Sequence, residues 1–345
     1  MRVLLLLALL VLTGCSSPPG GAGHVPAQAG ERPPLSALTA LPDPRSYQGP
    51  TTALVAHNDI VPVDTPTPRL PVTVTDFQDT SVTVTDASRV LALDVSGTLA
   101  ATVFGLGLGS RVVGRDISTG FPAAKDLPLV TVNGHQLNAE AILRLRPSVV
   151  LTDTTLGPWD AVLQLRDAGV PVVVVDPKRA MDTNVPIVRA VATALGVPEA
   201  GELLARRMES EIADTVAQIK RLAPADPARK PRVVFLYLRG QAGVYYLFGK
   251  GSGADSLIQA LGAVDVATEA GIDGMRPINP EALAKARPDV ILMMTNGLAS
   301  VGGVEGALTA PGSPRPRPRA TAASSTWPTP SSSASAPRPP PSSTA

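Results

Sequence analysis

The sequence predicts an α/β protein of two lobes that are joined by one long helix. Three observations support this fold class. Short β-branched runs alternate with helical stretches, one amphipathic segment is long enough to connect two lobes, and a 14-residue pattern occurs twice. Strands that alternate with helices form parallel βαβ units, so both lobes are expected to be Rossmann-like.

The strands are predicted from short apolar runs. Runs that are apolar and β-branched at almost every position are typical of strands buried on both faces, and two Val-Thr-Val runs are β-branched throughout. The runs are Val72–Val74, Val82–Val84, Val90–Leu93, Val112–Val113, Val130–Val132, Val149–Leu151, Val172–Val175, Val233–Leu238 and Val290–Met294.

A long helical segment follows the first group of strands. It extends from about Val185 to Ala223 and is interrupted near Gly196 to Pro198. At 1.5 Å per residue, a helix of about 25 residues reaches about 37 Å, which is enough to cross from one lobe to another. Apolar residues recur on one face of its second half, at Leu204, Met208, Ile212, Val216 and Ile219.

An internal repeat indicates that the two lobes are related. Asn138 to Leu151 aligns without gaps with Asn279 to Leu292, at a constant offset of 141 residues. Each copy starts with Asn as a helix N-cap, places Glu in the first helical turn, and ends with Arg-Pro before a strand.

The N-terminus resembles a bacterial lipoprotein signal peptide over residues 1–14. Arg2 precedes a ten-residue apolar run, and Leu12-Thr13-Gly14-Cys15 is similar to a lipobox. Cys15 is the only cysteine of the chain, and lipidation would explain it. The protein is therefore expected at the outer face of the cell membrane, held by a lipid anchor.

Composition divides the rest of the chain. Residues 15–67 are rich in small residues and Pro and are expected to form a flexible tether. An N-terminal lobe (68–180), an interlobe helix (181–224) and a C-terminal lobe (225–312) follow. The net charge of +1 does not favour nucleic acid as a partner, and a monomer is expected.

The tail, residues 313–345, differs from the body. It contains nine Pro and nine Ser and no acidic residue, so it is interpreted as disordered or as the product of a frameshift. Reading Ala320 to Pro337 one base earlier permits DRRVVDMADSVVLSFGP, which resembles the last strand region of the family identified below. With this tail the C-terminal lobe is expected to be incomplete, because prolines remove ladder donors.

Three stretches resemble the haem-binding lipoproteins of Gram-positive bacteria. They are Leu91–Ala100, Thr131–Asn138, and Phe235–Gly240 with its continuation Val244–Gly249. These lipoproteins belong to the periplasmic binding proteins that serve siderophore, cobalamin and haem importers. The resemblance implies the class III periplasmic-binding-protein fold, haem as the transported ligand, and an ABC permease with its ATPase as partners.

The resemblance also implies that His135 and Tyr237 are axial ligands of haem iron, one from each lobe. The residues themselves agree with this role. His135 follows a glycine in a loop before a helix N-cap, and Tyr237 lies near the end of a strand, where open α/β sheets place ligands. Arg239 is two positions further on the same face and favours a charged phenolate.

Other residues are candidates for the walls of the site and for docking. Tyr245 and Tyr246 are expected to line the pocket or to pack, and Arg115 and Arg276 are candidates for the haem propionates. In the cobalamin- and siderophore-binding relatives an acidic residue on each lobe pairs with arginines of the permease. The repeat places Glu140 and Glu281 in equivalent positions for this contact.

Three alternatives stay open. A siderophore- or cobalamin-binding protein would favour Trp and Arg clusters, and Trp159 is the one Trp of the body. A zinc or manganese site would need three or four converging ligands, whereas His57 and His135 are the available histidines. An enzyme with a phosphate loop could use Gly249–Gly253, but the full motif spacing is absent.

Overall fold

The structure, a computed structural model, has the expected α/β architecture. None of the helices within its described ranges has both the length and the apolar character needed to cross a bilayer. The described residues are 33–47, 49–54, 59–240, 243–278, 281, 287–309 and 321–326.

The helices and strands alternate along most of the described chain. The strands are β1 Thr51–Leu54, β2 Val72–Thr75, β3 Ser81–Val84, β4 Val90–Leu93, β5 Thr131–Val132, β6 Gln136–Leu137, β7 Val149–Thr152, β8 Val172–Val174, β9 Arg232–Arg239, β10 Val244–Phe248, β11 Val264–Asp265, β12 Met275–Pro277, β13 Val290–Met294 and β14 Thr321–Thr326. The α-helices are α1 Thr98–Gly105, α2 Ala139–Arg144, α3 Trp159–Asp167, α4 Asn184–Ala194, α5 Pro198–Leu222, α6 Ala254–Ala260, α7 Val266–Glu269, α8 Thr295–Ser300 and α9 Gly303–Thr309.

The N-terminal lobe is a parallel sheet between two apolar layers. Its strand order is β4-β7-β8, and all three strands are buried along their length. Val90 and Ala92 of β4 face one core, and Leu91 and Leu93 face the other. This double burial is the reason why the strands read as continuous apolar runs rather than as alternating ones.

Two consecutive helices connect the lobes, with the break where the sequence predicts it. α4 ends before Gly196, which has φ +69, and α5 begins with a proline at its first position. Leu204 of α5 is buried in the core of the N-terminal lobe. The other end of α5 leads to Ala223, which packs against Gly262 of the C-terminal lobe. Because α5 starts on one lobe and ends on the other, it is the predicted spanning helix.

The C-terminal lobe is built on a mixed sheet. Its described strands have the order β1-β14-β13-β9-β10-β12, and β11 pairs with the beginning of β9. β13 runs parallel to β9, and β10 runs antiparallel to it. Val234, Leu236 and Leu238 of β9 are buried in one core. The intervening residues of β9 therefore point to the opposite face of the sheet.

The predicted tether is too long, because much of it packs on the body. Arg45 forms an ion pair with Asp289 at 2.8 Å, at the beginning of β13. β1 then pairs in parallel with β14. Further on, Ile60 and Val63 pack against the core of the N-terminal lobe, and the Val63 N–H donates to Gly105 O at 2.9 Å. A tether can thus include residues 15–32, which lie outside the described residues, but not all of 15–67.

The expectation that the tail contributes no strand is also wrong. β14 lies between β13 and β1 and pairs with both in parallel. Backbone pairing needs no aliphatic side chain, and Thr321–Thr326 contains no proline. In the alternative reading frame, two valines would occupy positions 324 and 325 of this strand. The other tail residues lie outside the described part of the chain.

The internal repeat has a structural counterpart. Asn138 caps α2, because its Oδ1 accepts a hydrogen bond from Ala141 N at 3.0 Å. At the other end of the repeat, Arg146 has φ +47 and Arg287 has φ +49. Two non-glycine residues in the left-handed region at equivalent positions indicate the same chain reversal before each strand. Asn279 lies outside the described residues.

Candidate functional site

His135 is presented by a short hairpin at the edge of the N-terminal sheet. β5 and β6 pair antiparallel, and Asn133 and Gly134 between them have φ +47 and +88. The Leu137 N–H donates to Gly157 O at 2.6 Å, which places the hairpin on the loop that follows β7. The hairpin therefore lies at the carboxyl end of the parallel strands, where open α/β sheets bind ligands.

The imidazole of His135 is half-buried and retains binding capacity. Its Nδ1 is buried and makes no hydrogen bond to any described residue. Burial lowers the pKa of His135, and the positive charge of Arg239 lowers this pKa further. The ring is therefore neutral at pH 7, and a neutral imidazole has one nitrogen that can bind a metal ion.

Tyr237 lies on the face of β9 opposite to the one that carries Val234, Leu236 and Leu238. In the antiparallel register Tyr237 is opposite Tyr246, and Phe235 is opposite Phe248. The Tyr237 and Phe248 rings are stacked, with centroids 6.1 Å apart and an interplanar angle of 21°. The Tyr237 residue is only partly buried, at the end of this aromatic group.

Arg239 connects the two halves of the site. It is the last residue of β9, and its side chain is exposed. A Cβ atom built on Gly134 would lie 3.7 Å from Arg239 Nη1, so the guanidinium faces the loop that carries His135. The structure thus brings Arg239 of the C-terminal lobe against the His135 loop of the N-terminal lobe, with Tyr237 on the same strand face as Arg239.

Two of the candidate wall residues are placed elsewhere. Tyr245 packs against the core of the C-terminal lobe, on the opposite face of β10 from Tyr246. Arg276 of β12 is paired with Leu247, which is also a core residue, so Arg276 shares the face of Tyr245. The alternation of side chains along a strand explains both results: only Tyr246 shares the face of Tyr237.

Arg115 lies in the N-terminal lobe, beside the β5–β6 hairpin. Its backbone N–H donates to Pro128 O at 2.9 Å, and its Nη1 donates to Asp116 O at 3.2 Å. Its Nε is buried and has no hydrogen-bond partner among the described residues. The structure gives no contact between Arg115 and His135, so a role toward a ligand carboxylate stays a prediction.

Sequence reasoning missed a buried acidic cluster at the same edge of the N-terminal sheet. Asp94, Asp116 and Asp153 are all at most 1% exposed. Arg179 Nη2 joins two of them, at 3.2 Å from Asp94 Oδ2 and 2.6 Å from Asp153 Oδ2. Asp94 and Asp153 directly follow the buried strands β4 and β7, which is the signal that could have found these two residues.

These carboxyl groups shape the loops that surround the site. Asp116 accepts hydrogen bonds from the N–H groups of Asp94, Ser118 and Thr119, at 2.8 to 3.1 Å. Burial, and then the negative charge of Asp94, raise the pKa of Asp116 to about 6. Burial also raises the pKa of Asp153, although Thr155 and Arg179 favour its charged form.

The glycine-rich loop does not form an open phosphate cradle. The N–H groups of Gly251 and Gly253 donate to the carboxylate of Asp255, at 2.8 and 3.1 Å. The backbone at Gly253 instead packs against the carbonyl of Arg179, with 2.3 Å between that oxygen and a built Cβ. This loop therefore contributes to the junction between the lobes, and its amides are already occupied.

A metal site formed by protein side chains alone requires several converging ligands. Within the described ranges, no group of three or more His, Cys, Asp or Glu side chains is positioned to hold a metal ion. Comparison with known proteins agrees with a binding role, since the family model described as "Periplasmic binding protein" matches residues 94–310.

The chain belongs to the periplasmic binding protein family.

Relatives of this periplasmic binding protein include three with informative descriptions. The crystal structure of the haem-binding protein HmuT is 40% identical, covers 82% of this chain and 92% of its own, and superposes with a TM-score of 0.76. The haem-binding protein RhuT from Roseiflexus sp. RS-1 is 37% identical over 70% of this chain and 90% of its own, with a TM-score of 0.62. The ABC transporter substrate-binding lipoprotein YvrC of Bacillus subtilis (strain 168), itself uncharacterised, is 25% identical over 64% of this chain and 68% of its own.

Membership in the family settles the class of the protein. Periplasmic binding proteins bind a ligand for transport and do not transform it, so this chain is not an enzyme. The family match starts at Asp94 and includes His135, Tyr237 and Arg239, so the candidate site lies entirely within it.

Proposed function

We propose that this periplasmic binding protein captures haem between its lobes and delivers it to an ABC permease. The proposal is carried by two elements that face each other. A hairpin on the N-terminal lobe carries the half-buried His135, and Arg239, on the same strand as Tyr237, lies against this hairpin from the C-terminal lobe. Structures of relatives that share 33% to 40% of the sequence are described as haem-binding proteins.

His135 and Tyr237 are proposed as the axial ligands of the iron. The porphyrin supplies four nitrogens, so the protein needs to add only one or two donors. A neutral imidazole is a common ligand of haem iron, and a phenolate is a hard donor that suits ferric iron. Arg239 lies two positions from Tyr237 on the same strand face, so a positive charge lies beside the proposed anionic donor.

Substitutions described for HmuT support the same three residues. Three further crystal structures of HmuT carry alanine in place of one histidine, one tyrosine and one arginine. In HmuT that tyrosine and that arginine are two positions apart, the spacing between Tyr237 and Arg239 here. Tyr246 is proposed as a further wall of the pocket because it shares the face of Tyr237, and Arg115 as a partner for a propionate.

Titration of the purified protein with haemin tests the proposal. Loss of a partner outside the first coordination sphere costs roughly tenfold to hundredfold in affinity. His135→Ala and Tyr237→Phe should each weaken haemin binding by more than this. Tyr245→Phe is the matched control, since it removes a hydroxyl from the opposite face of the same sheet. Wild-type affinity in both ligand variants would refute the assignment.

Delivery is proposed to use Glu140 and Glu281 as contacts for the permease, whose ATPase drives uptake. Both side chains are exposed, and Glu140 lies in the first turn of α2. The double variant Glu140→Ala, Glu281→Ala should reduce haem uptake in cells without changing haemin affinity, and Glu211→Ala on α5 should change neither.

Lipidation of Cys15, which lies outside the described residues, would hold the protein at the outer face of the membrane.

A further inference from the structure

Three aromatic rings form a continuous column on the face of the C-terminal sheet that carries Tyr237. The Phe235 and Phe248 ring centroids are 5.0 Å apart, and the Phe248 and Tyr237 centroids are 6.1 Å apart. Phe235, at the inner end, packs against the buried residues Val233, Ile258 and Leu292. The column therefore runs from a packed core at Phe235 to the phenol of Tyr237.

The pairing of the strands explains why Phe248 is the middle ring. Phe248 is directly opposite Phe235 on β9, and Tyr237 is its diagonal neighbour two residues further along β9. Aromatic side chains reach each other across such diagonals. With an angle of 21° and centroids 6.1 Å apart, the Tyr237 and Phe248 rings have the geometry of an offset-stacked pair.

The backbone at Phe248 has little freedom to move. β10 is paired on one side with β9 and on the other with β12, where Met275 is opposite Phe248. The next residue, Gly249, is packed so closely that a Cβ atom built on it would lie 2.1 Å from Ile272 O. Phe248 is thus a fixed surface against which the Tyr237 ring rests.

We propose that Phe248 is a positioning residue that holds the Tyr237 phenol in the orientation needed to bind haem iron. The proposal rests on the proposed function, because it takes Tyr237 as the iron ligand. A ring that is already ordered loses less conformational freedom when its oxygen binds the iron. Bond direction matters to a phenolate ligand, so a loosened ring is expected to change the iron spectrum as well as the affinity.

The test compares ring removal with ring retention at one position. Phe248→Leu should weaken the phenolate-to-iron charge-transfer band and shift its maximum, and should weaken haemin binding about three- to tenfold, in line with the contribution of an aromatic pair. Phe248→Tyr keeps a ring and should restore the wild-type band. Tyr245→Leu removes a ring from the opposite face of β10 and should leave the band unchanged.

Two results would overturn the proposal. If the haemin-loaded wild type has a charge-transfer band that Tyr237→Phe abolishes, yet Phe248→Leu has the wild-type band and affinity, Phe248 has no positioning role. If the wild type has no such band, Tyr237 is not a ligand, and the proposed function fails first. Circular dichroism checks that Phe248→Leu is folded, and Phe248→Met, which preserves apolar volume without a ring, takes its place if it is not.

Discussion

Gly134 and Arg239 approach each other from the two lobes: a Cβ atom on Gly134 would lie 3.7 Å from Arg239 Nη1. The two residues belong to different lobes, and each is next to or near a proposed iron ligand. Gly134 has φ +88, a conformation that side chains disfavour. The loop that carries His135 thus depends on glycine for its shape and comes close to the guanidinium of the other lobe.

Gly134→Ala should separate ligand positioning from general stability. Forcing alanine into the left-handed region is expected to cost about 1 to 2 kcal/mol of unfolding free energy. Gly169→Ala is the matched control: its φ is +79, a Cβ there meets nothing within 4 Å, and it lies far along the chain from His135. Urea unfolding should show a similar loss in both variants, whereas only Gly134→Ala should weaken haemin binding. Equal affinities would mean that the shape of the loop does not control the site.

Arg239→Ala should weaken haemin binding by about tenfold or more, as expected for loss of a partner outside the first coordination sphere. The cause is loss of the guanidinium that lies against the His135 loop, on the same strand face as Tyr237. Arg239→Lys keeps the charge without the planar guanidinium and should have an intermediate effect. Arg276→Ala removes an exposed cation from the opposite face of the sheet. If Arg276→Ala is as damaging as Arg239→Ala in the same titration, the assignment of faces is wrong.

Asp116 should make stability depend on pH in an unusual direction. Burial raises its pKa from 3.8 to about 6, so the folded state binds more protons than the unfolded state between these values. Its contribution to stability is therefore fully present below pH 3.8 and is lost as the pH rises through about 6. Relative to wild type, Asp116→Asn should gain up to about 3 kcal/mol of unfolding free energy between pH 4 and pH 7. Denaturant unfolding at several pH values measures this difference, and a difference that is constant with pH would contradict the argument.

Arg179 should be essential for the stability of the N-terminal lobe. It is the cation between Asp94 and Asp153, which are almost completely buried. Arg179→Gln leaves two buried carboxyl groups without it and should cost about 3 to 5 kcal/mol. Arg189 forms a comparable pair with Glu202, but on the surface, so Arg189→Gln should change thermal unfolding little. Similar melting temperatures for the two variants would argue against the cluster.

Local patterns were sufficient to predict much of the fold. Strand runs such as Val149–Leu151 are apolar because both faces are buried, and the Asn138 cap and the Pro198 helix start follow from backbone chemistry that acts over a few residues. His135 and Tyr237 were found because they lie in stretches that resemble those of haem-binding lipoproteins. His135 also follows a glycine in a loop, and Tyr237 lies near the end of a strand.

Features that depend on distant contacts were not predictable. Arg45 and Asp289 are 244 residues apart, so nothing near Arg45 shows that the segment docks on the body. Tyr245 and Tyr246 are adjacent, and alternation predicts only that they point to opposite faces. The pairing of β10 with β9 decides which of the two shares the face of Tyr237. The acidic cluster was missed for the same reason, since its members converge only in three dimensions.

The absorption spectrum of the haemin-loaded protein tests the central claim most directly. Wild type and Tyr245→Phe should both have a shifted Soret band and a phenolate-to-iron charge-transfer band. Tyr237→Phe should retain haemin more weakly and lack the charge-transfer band. A Tyr237→Phe spectrum identical to that of wild type, or a wild type that leaves the haemin spectrum unchanged, would contradict haem capture through Tyr237.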